Sequence, residues 1–156
     1  MSSGVRELRV WQESVALAGD VIRAARSGVR RETRAVSDTL METALAVSGH
    51  IADGYAHPTI REQRESYLAA KRALLRLESH MAVARHADLI PTGAYTELTA
   101  RSALALRLLT GYVVYLDRQI AEEAERPAAA QRAMRTTPAP VATGAAPTLG
   151  SADVPG

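Results

Sequence analysis

Residues 5–27 read VRELRVWQESVALAGDVIRAARS, and this stretch decides the fold. Leu8, Trp11, Val15, Ala18, Ile22 and Ala25 recur at alternating intervals of three and four residues, the period of one stripe along an α-helix. Val10, Leu17 and Val21 form a second stripe about 110° around the same helix, at about 100° per residue. Gly28 then stops the helix. Arg23, Arg26, Arg30 and Arg31 gather near its negative end, where the macrodipole favours cations.

Working outward, the same period predicts three more helices. Over residues 33–54, Val36, Leu40, Ala44, Val47 and Ile51 form the main stripe, and Met41, Leu45 and Ala52 lie beside it. Gly54 reads as the C-cap, with Pro58 shortly after. Over 59–86, Thr59 and Glu62 fit a capping box, and Ala70, Leu74, Leu77, Met81 and Ala84 form the buried face. From Thr92 to about Glu125, Leu98, Ala105, Leu109, Tyr112, Leu116 and Ile120 form a core stripe that Leu104, Leu108 and Tyr115 widen. Pro58 and Pro91 punctuate the junctions. No segment alternates apolar and polar residues as a strand would. The expected fold is all-α, an antiparallel up-down-up-down four-helix bundle over residues 1–126.

Five of the seven prolines lie at or after Pro127. Residues 127–156 are rich in Ala, Pro, Thr and Gly, with no aromatic residue and no periodic face. They are expected to form a disordered tail, because they cannot bury enough surface to offset the entropy of ordering.

Composition excludes several classes of function. The chain has 156 residues and no cysteine, which removes disulfides, Cys-ligated metals and cysteine nucleophiles. No apolar run approaches the roughly 20 residues of a membrane span. The polar start, MSSGVRELRV, has no signal-peptide core, so a cytoplasmic setting is expected. Eighteen arginines and one lysine stand against 17 acids, a net charge of +2.

Catalytic patterns are missing as well. His50, Asp53 and His57 have a spacing that one helix face could turn toward a metal, but Gly54 and Pro58 make them read as polar residues at a helix end. No Glu is followed by His three residues on, which excludes the di-iron pattern of some bundles. No serine sits in a nucleophile elbow, and no glycine loop could cradle a phosphate. The expectation is no enzyme, no cofactor and no metal.

Two signals remain. Arg23, Arg26, Arg30, Arg31 and Arg34 crowd the corner between helices 1 and 2, and Arg61, Arg64, Lys71, Arg72 and Arg76 span an arc of about 140° on helix 3, at about 100° per residue. Such cations suit phosphate contact in RNA or DNA. The apolar arcs also exceed what a monomeric bundle buries, so Val10, Leu17, Val21, Leu68, Leu75, Leu104, Leu108 and Tyr115 are expected to face other copies in a homo-oligomer. The alternative is a protein–protein scaffold or adaptor with no nucleic-acid role.

Three stretches carry a family resemblance. Leu8-Arg9-Val10-Trp11-Gln12 resembles an L-x-V-W-Q opening. Ser48-Gly49-His50-Ile51-Ala52-Asp53-Gly54-Tyr55 resembles S-I-P-x-N-I-A-E-G, and Ala73-Leu74-Leu75-Arg76-Leu77-Glu78 resembles G-S-L-x-E-L-E. Their order and spacing, over about residues 6–120, are similar to the bacterial four-helix-bundle family of the 23S rRNA intervening-sequence protein, the S23 family. That resemblance implies a homopentamer. Through the related accessory variability protein of diversity-generating retroelements, it implies contact with nucleic acid and with a protein partner such as a reverse transcriptase. The sequence departs from the pattern at His50, where the family has Asn, and at Asp53, where it has Glu. Met41 and Glu42 also replace two family arginines on helix 2, which leaves the helix 1–2 corner and helix 3 as the candidate surfaces.

Overall fold

The computed structural model describes residues 4–136 and Gly144. It contains α1 (Arg9–Ser27), α2 (Arg34–Ala56), α3 (Ile60–His86) and α4 (Thr92–Thr136), with short 3-10 turns at Val5–Glu7 and Arg31–Thr33. Among the described residues there is no strand, and no helix is long and apolar enough to cross a membrane. The chain divides into two units, residues 1–122 and 123–156, and the bundle belongs to the first.

Side-chain contacts set the helix directions. Thr43 meets His80, and Gly54 approaches Tyr67, so α2 and α3 run antiparallel. Arg64 bonds Asp117 and Glu78 accepts from Ser102, so α3 and α4 do too. Arg101 reaches back to Glu13 and Asp20 while Arg23 shares a groove with Ala94, so α4 is antiparallel to α1. The core between the helices is built from Leu17 and Val21 on α1, Leu40, Val47 and Ile51 on α2, Leu74, Leu77 and Met81 on α3, and Leu98, Leu109 and Leu116 on α4. Ile90, in the α3–α4 connection, is buried with them.

On α1 the buried positions are Val10, Ser14, Leu17, Ala18, Val21 and Ala25, an arc of about 100° at about 100° per residue. The core therefore takes the second apolar stripe and only the edge of the first. Val15 is left 41% exposed, whereas Val10, Leu17 and Val21 are at most 5% exposed. The expectation that those three face another copy is corrected, because they lie inside the subunit's own core. Ser14 is accommodated there by donating to the Trp11 carbonyl at 2.7 Å.

Gly54 is not a cap. α2 continues to Ala56, and His57 caps it by donating its N–H to the Asp53 carbonyl at 3.1 Å. A Cβ on Gly54 would lie 3.0 Å from the Tyr67 ring and 3.2 Å from Ser66 Cβ, so the missing side chain is what allows α2 and α3 to cross closely. Thr59 caps α3 as expected, its hydroxyl accepting from the Glu62 N–H at 3.2 Å. At the other end of α3, Leu89 N–H bonds the Ala84 carbonyl at 2.9 Å and Asp88 N–H bonds the Arg85 carbonyl at 3.2 Å. Asp88 takes φ 55°, the left-handed position of a Schellman cap. Gly28 caps the end of α1, and a close approach requires glycine there: a Cβ would meet the Leu89 carbonyl oxygen at 2.6 Å.

The expected end of helix 4 near Glu125 is also corrected. α4 runs through Pro127 to Thr136, and residues 123–136 are exposed throughout. Proline removes one backbone donor, but the alanines that follow are strong helix formers. The rest of the expected tail, apart from Gly144, lies outside the described residues.

Gly28→Ala is expected to destabilise the fold by about 1–3 kcal/mol, since the new methyl must displace backbone. Gly49→Ala, with open space around the new Cβ, is expected to be neutral or stabilising by up to about 1 kcal/mol. Asp88→Val should cost about 1–2 kcal/mol relative to Asp88→Gly, the penalty of a branched side chain in the left-handed region. Urea denaturation midpoints of the four variants check all three statements.

Candidate nucleic-acid interface

Of the corner arginines, Arg23 pairs with Asp20, and Arg34 lies 3.9 Å from Asp38. Arg26, Arg30 and Arg31 are exposed and, among the described residues, form no ion pair. These five cations spread over the end of α1, the connection and the start of α2, and they are not gathered around one cavity.

The α3 stripe divides in the folded chain. Arg64 turns toward α4 and is engaged by Asp117, with Glu65 at 3.2 Å. The hydrogen bond that Arg64 donates to Asp117 is the main reason its guanidinium pKa is raised further. Arg61 lines a shallow depression with Glu62 and Glu65, where its charge is offset nearby. Arg72 and Arg76 stand together on the α2 side, one turn apart, about 6 Å along the axis. Arg61, Lys71, Arg72 and Arg76 form no ion pair among the described residues.

Arg72 and Arg76 overhang a groove of about 330 Å³ between α2 and α3. Its floor is made of Ala46, Ala69 and Ala73, and His50, Thr43 and Glu42 line the α2 side. The Thr43 hydroxyl donates to the Thr39 carbonyl at 2.7 Å and meets His80 Nδ1 at 3.2 Å, so it is already engaged. His50 Nδ1 lies 4.0 Å from Asp53. Read one helix at a time, the sequence missed the joining of His50 and Glu42 to Arg72 and Arg76. The register that joins them is set by tertiary contacts, Gly54 against Tyr67 and Thr43 against His80, which bring His50 opposite about residue 72.

The opposite crevice has the other sign. Glu13, Asp20 and Glu97 line a groove between α1 and α4 in which Arg101 bonds Asp20 at 2.7 Å and lies 3.7 Å from Glu13. Among the described residues, no group of three or more His, Asp or Glu side chains is placed to hold a metal ion.

Of the remaining residues expected to face other copies, Leu68 and Leu108 are partly buried against the core, and Leu104 lines the acidic groove. Leu75 and Tyr115 are open to solvent, at 47% and 52% exposure, as are Leu45 and Val83, which stand outside the set expected to face other copies. Tyr115 ends an aromatic ladder: its ring centroid lies 5.9 Å from that of Tyr112, which lies 4.7 Å from that of buried Tyr67. Burial, followed by the Tyr112 neighbour, pushes the Tyr67 phenol well above its ordinary value. Its contribution to stability is complete below the unfolded value near pH 10 and is lost as pH rises toward the folded one. Tyr67 is therefore expected to ionise only together with alkaline unfolding, and Tyr67→Phe should remove that component from an ultraviolet pH titration.

The helical architecture, the order of the short motifs and this arrangement of charge can be set beside known proteins. A search of curated proteins finds no match. A model of the family described as 23S rRNA-intervening sequence protein matches residues 6–111, spanning α1, α2, α3 and the first part of α4. The chain belongs to the 23S rRNA-intervening sequence protein family.

Proposed function

We propose that this protein is a non-enzymatic, homo-oligomeric accessory protein of the cytoplasm that binds RNA or DNA without sequence preference through arginines. The observation that carries this reading is the set of cations on α3, Arg61, Lys71, Arg72 and Arg76, that form no ion pair among the described residues. Guanidinium groups pair with phosphate oxygens in a bidentate fork, and in an oligomer each cluster is repeated and its field summed. Leu45, Leu75, Val83 and Tyr115 are among the exposed apolar residues available to a second copy or to a protein partner such as a reverse transcriptase.

The test is fluorescence anisotropy with a short single-stranded RNA across a salt series. Binding is expected to weaken steeply with salt, with a log–log slope of about −0.7 for each phosphate neutralised. Arg61→Ala/Arg72→Ala/Arg76→Ala should weaken binding and flatten that slope by about two units. Unchanged affinity and slope would remove α3 from the interface. Salt-insensitive capture of a protein partner, with no RNA bound, would support the scaffold reading instead.

A further inference from the structure

The geometry points to the α2–α3 groove as a site for one nucleotide unit, its phosphate held by Arg72 and Arg76 and its sugar or base donors accepted by Glu42. This assignment rests on the nucleic-acid reading above and narrows it to a place. Arg23 and Arg64 are paired with carboxylates, whereas Arg72 and Arg76, which form no ion pair among the described residues, line a concavity of about 330 Å³. That volume falls at the small end of the range for organic ligand sites. The alanine floor keeps the groove open, because longer side chains at Ala46, Ala69 or Ala73 would fill it.

The chemistry of the lining selects the ligand. Two guanidinium groups that form no ion pair among the described residues favour a phosphate, and the imidazole of His50 adds a ring donor beside them. Glu42 in the same groove disfavours a bare anion or a run of carboxylates, since a carboxylate offers only acceptors. A nucleotide combines anionic oxygens with hydroxyl and amino donors, which matches this mixed lining. Of the corner arginines, Arg23 also lines a groove, but there it is paired with Asp20 and stands beside Glu97.

The experiment compares Arg72→Gln/Arg76→Gln with Arg30→Gln/Arg31→Gln in the full-length protein. The probes are a labelled oligouridylate, the matching oligothymidylate, and AMP. Anisotropy reads the strands, and side-chain NMR of the arginines and His50 reads AMP. The groove variant is expected to lose about tenfold or more in strand affinity and the corner variant about threefold or less. AMP should shift the His50 and Arg72 or Arg76 signals of the wild type. Preference for uridylate over thymidylate would identify RNA as the source of the nucleotide, and equal binding would identify either strand. AMP binding with no strand bound would keep the groove, make a free nucleotide its occupant and reject the nucleic-acid reading. Loss of affinity confined to the corner variant would overturn the groove while leaving nucleic-acid binding standing. A change of oligomer mass in the groove variant, with strand affinity intact, would overturn it as well, by showing that the groove is covered by another copy. If the wild type binds no probe at low salt, both readings fall.

Discussion

The close crossing of α2 and α3 is the constraint on which the rest of the bundle depends. Gly54 offers no side chain where the Tyr67 ring and Ser66 press against α2. Tyr67 in turn packs at a tilt against Tyr112, so one buried aromatic joins the α2–α3 hairpin to α4. Burying a tyrosine with its hydroxyl satisfied adds a large apolar area at modest polar cost. Farther along the same pair of helices, Ala46, Ala69 and Ala73 leave a groove instead of filling it, and that concavity gives Arg72 and Arg76 something to overhang. The fold and the candidate site thus share a cause, namely small residues along the α2–α3 contact.

Charge is divided around the bundle. The α1–α4 crevice concentrates Glu13, Asp20 and Glu97, and Arg101 is held within it by two of them. Arg64 is committed to Asp117 and Glu65. These pairings are solvent-exposed ion pairs of small energetic weight, but they consume cations that could otherwise meet phosphate. Arg26, Arg30 and Arg31 near the α1–α2 connection, and Arg72 and Arg76 on the α2-facing side of α3, are among the cations that form no ion pair in the described residues. A net charge of only +2 therefore understates how strongly one side could attract an anion.

The helices were legible because each repeats an apolar stripe over several turns. The Thr59–Glu62 cap was legible because its mechanism is local. The division of α1 was not: it has two apolar stripes, and only the tertiary partner decides that the one with Val10, Leu17 and Val21 faces inward. Gly54 looked like a terminator because glycine ends many helices, whereas here its role is close approach, which depends on Tyr67 from another helix. Pro127 looked like an end because proline disfavours helix interiors, yet the helix continues to Thr136. In the candidate site, the arginines were visible as a pattern on one helix. Their division into engaged Arg64 and unpaired Arg72 and Arg76 depends on Asp117 and on the groove, which a one-helix reading does not contain.

The most direct measurement is light scattering after size exclusion of protein purified at low salt, with absorbance recorded at 260 and 280 nm. The account predicts a mass of several subunits and an excess at 260 nm that disappears when the same sample is run at high salt, as counterion-driven binding requires. A single-chain mass with no excess absorbance at low salt would contradict it.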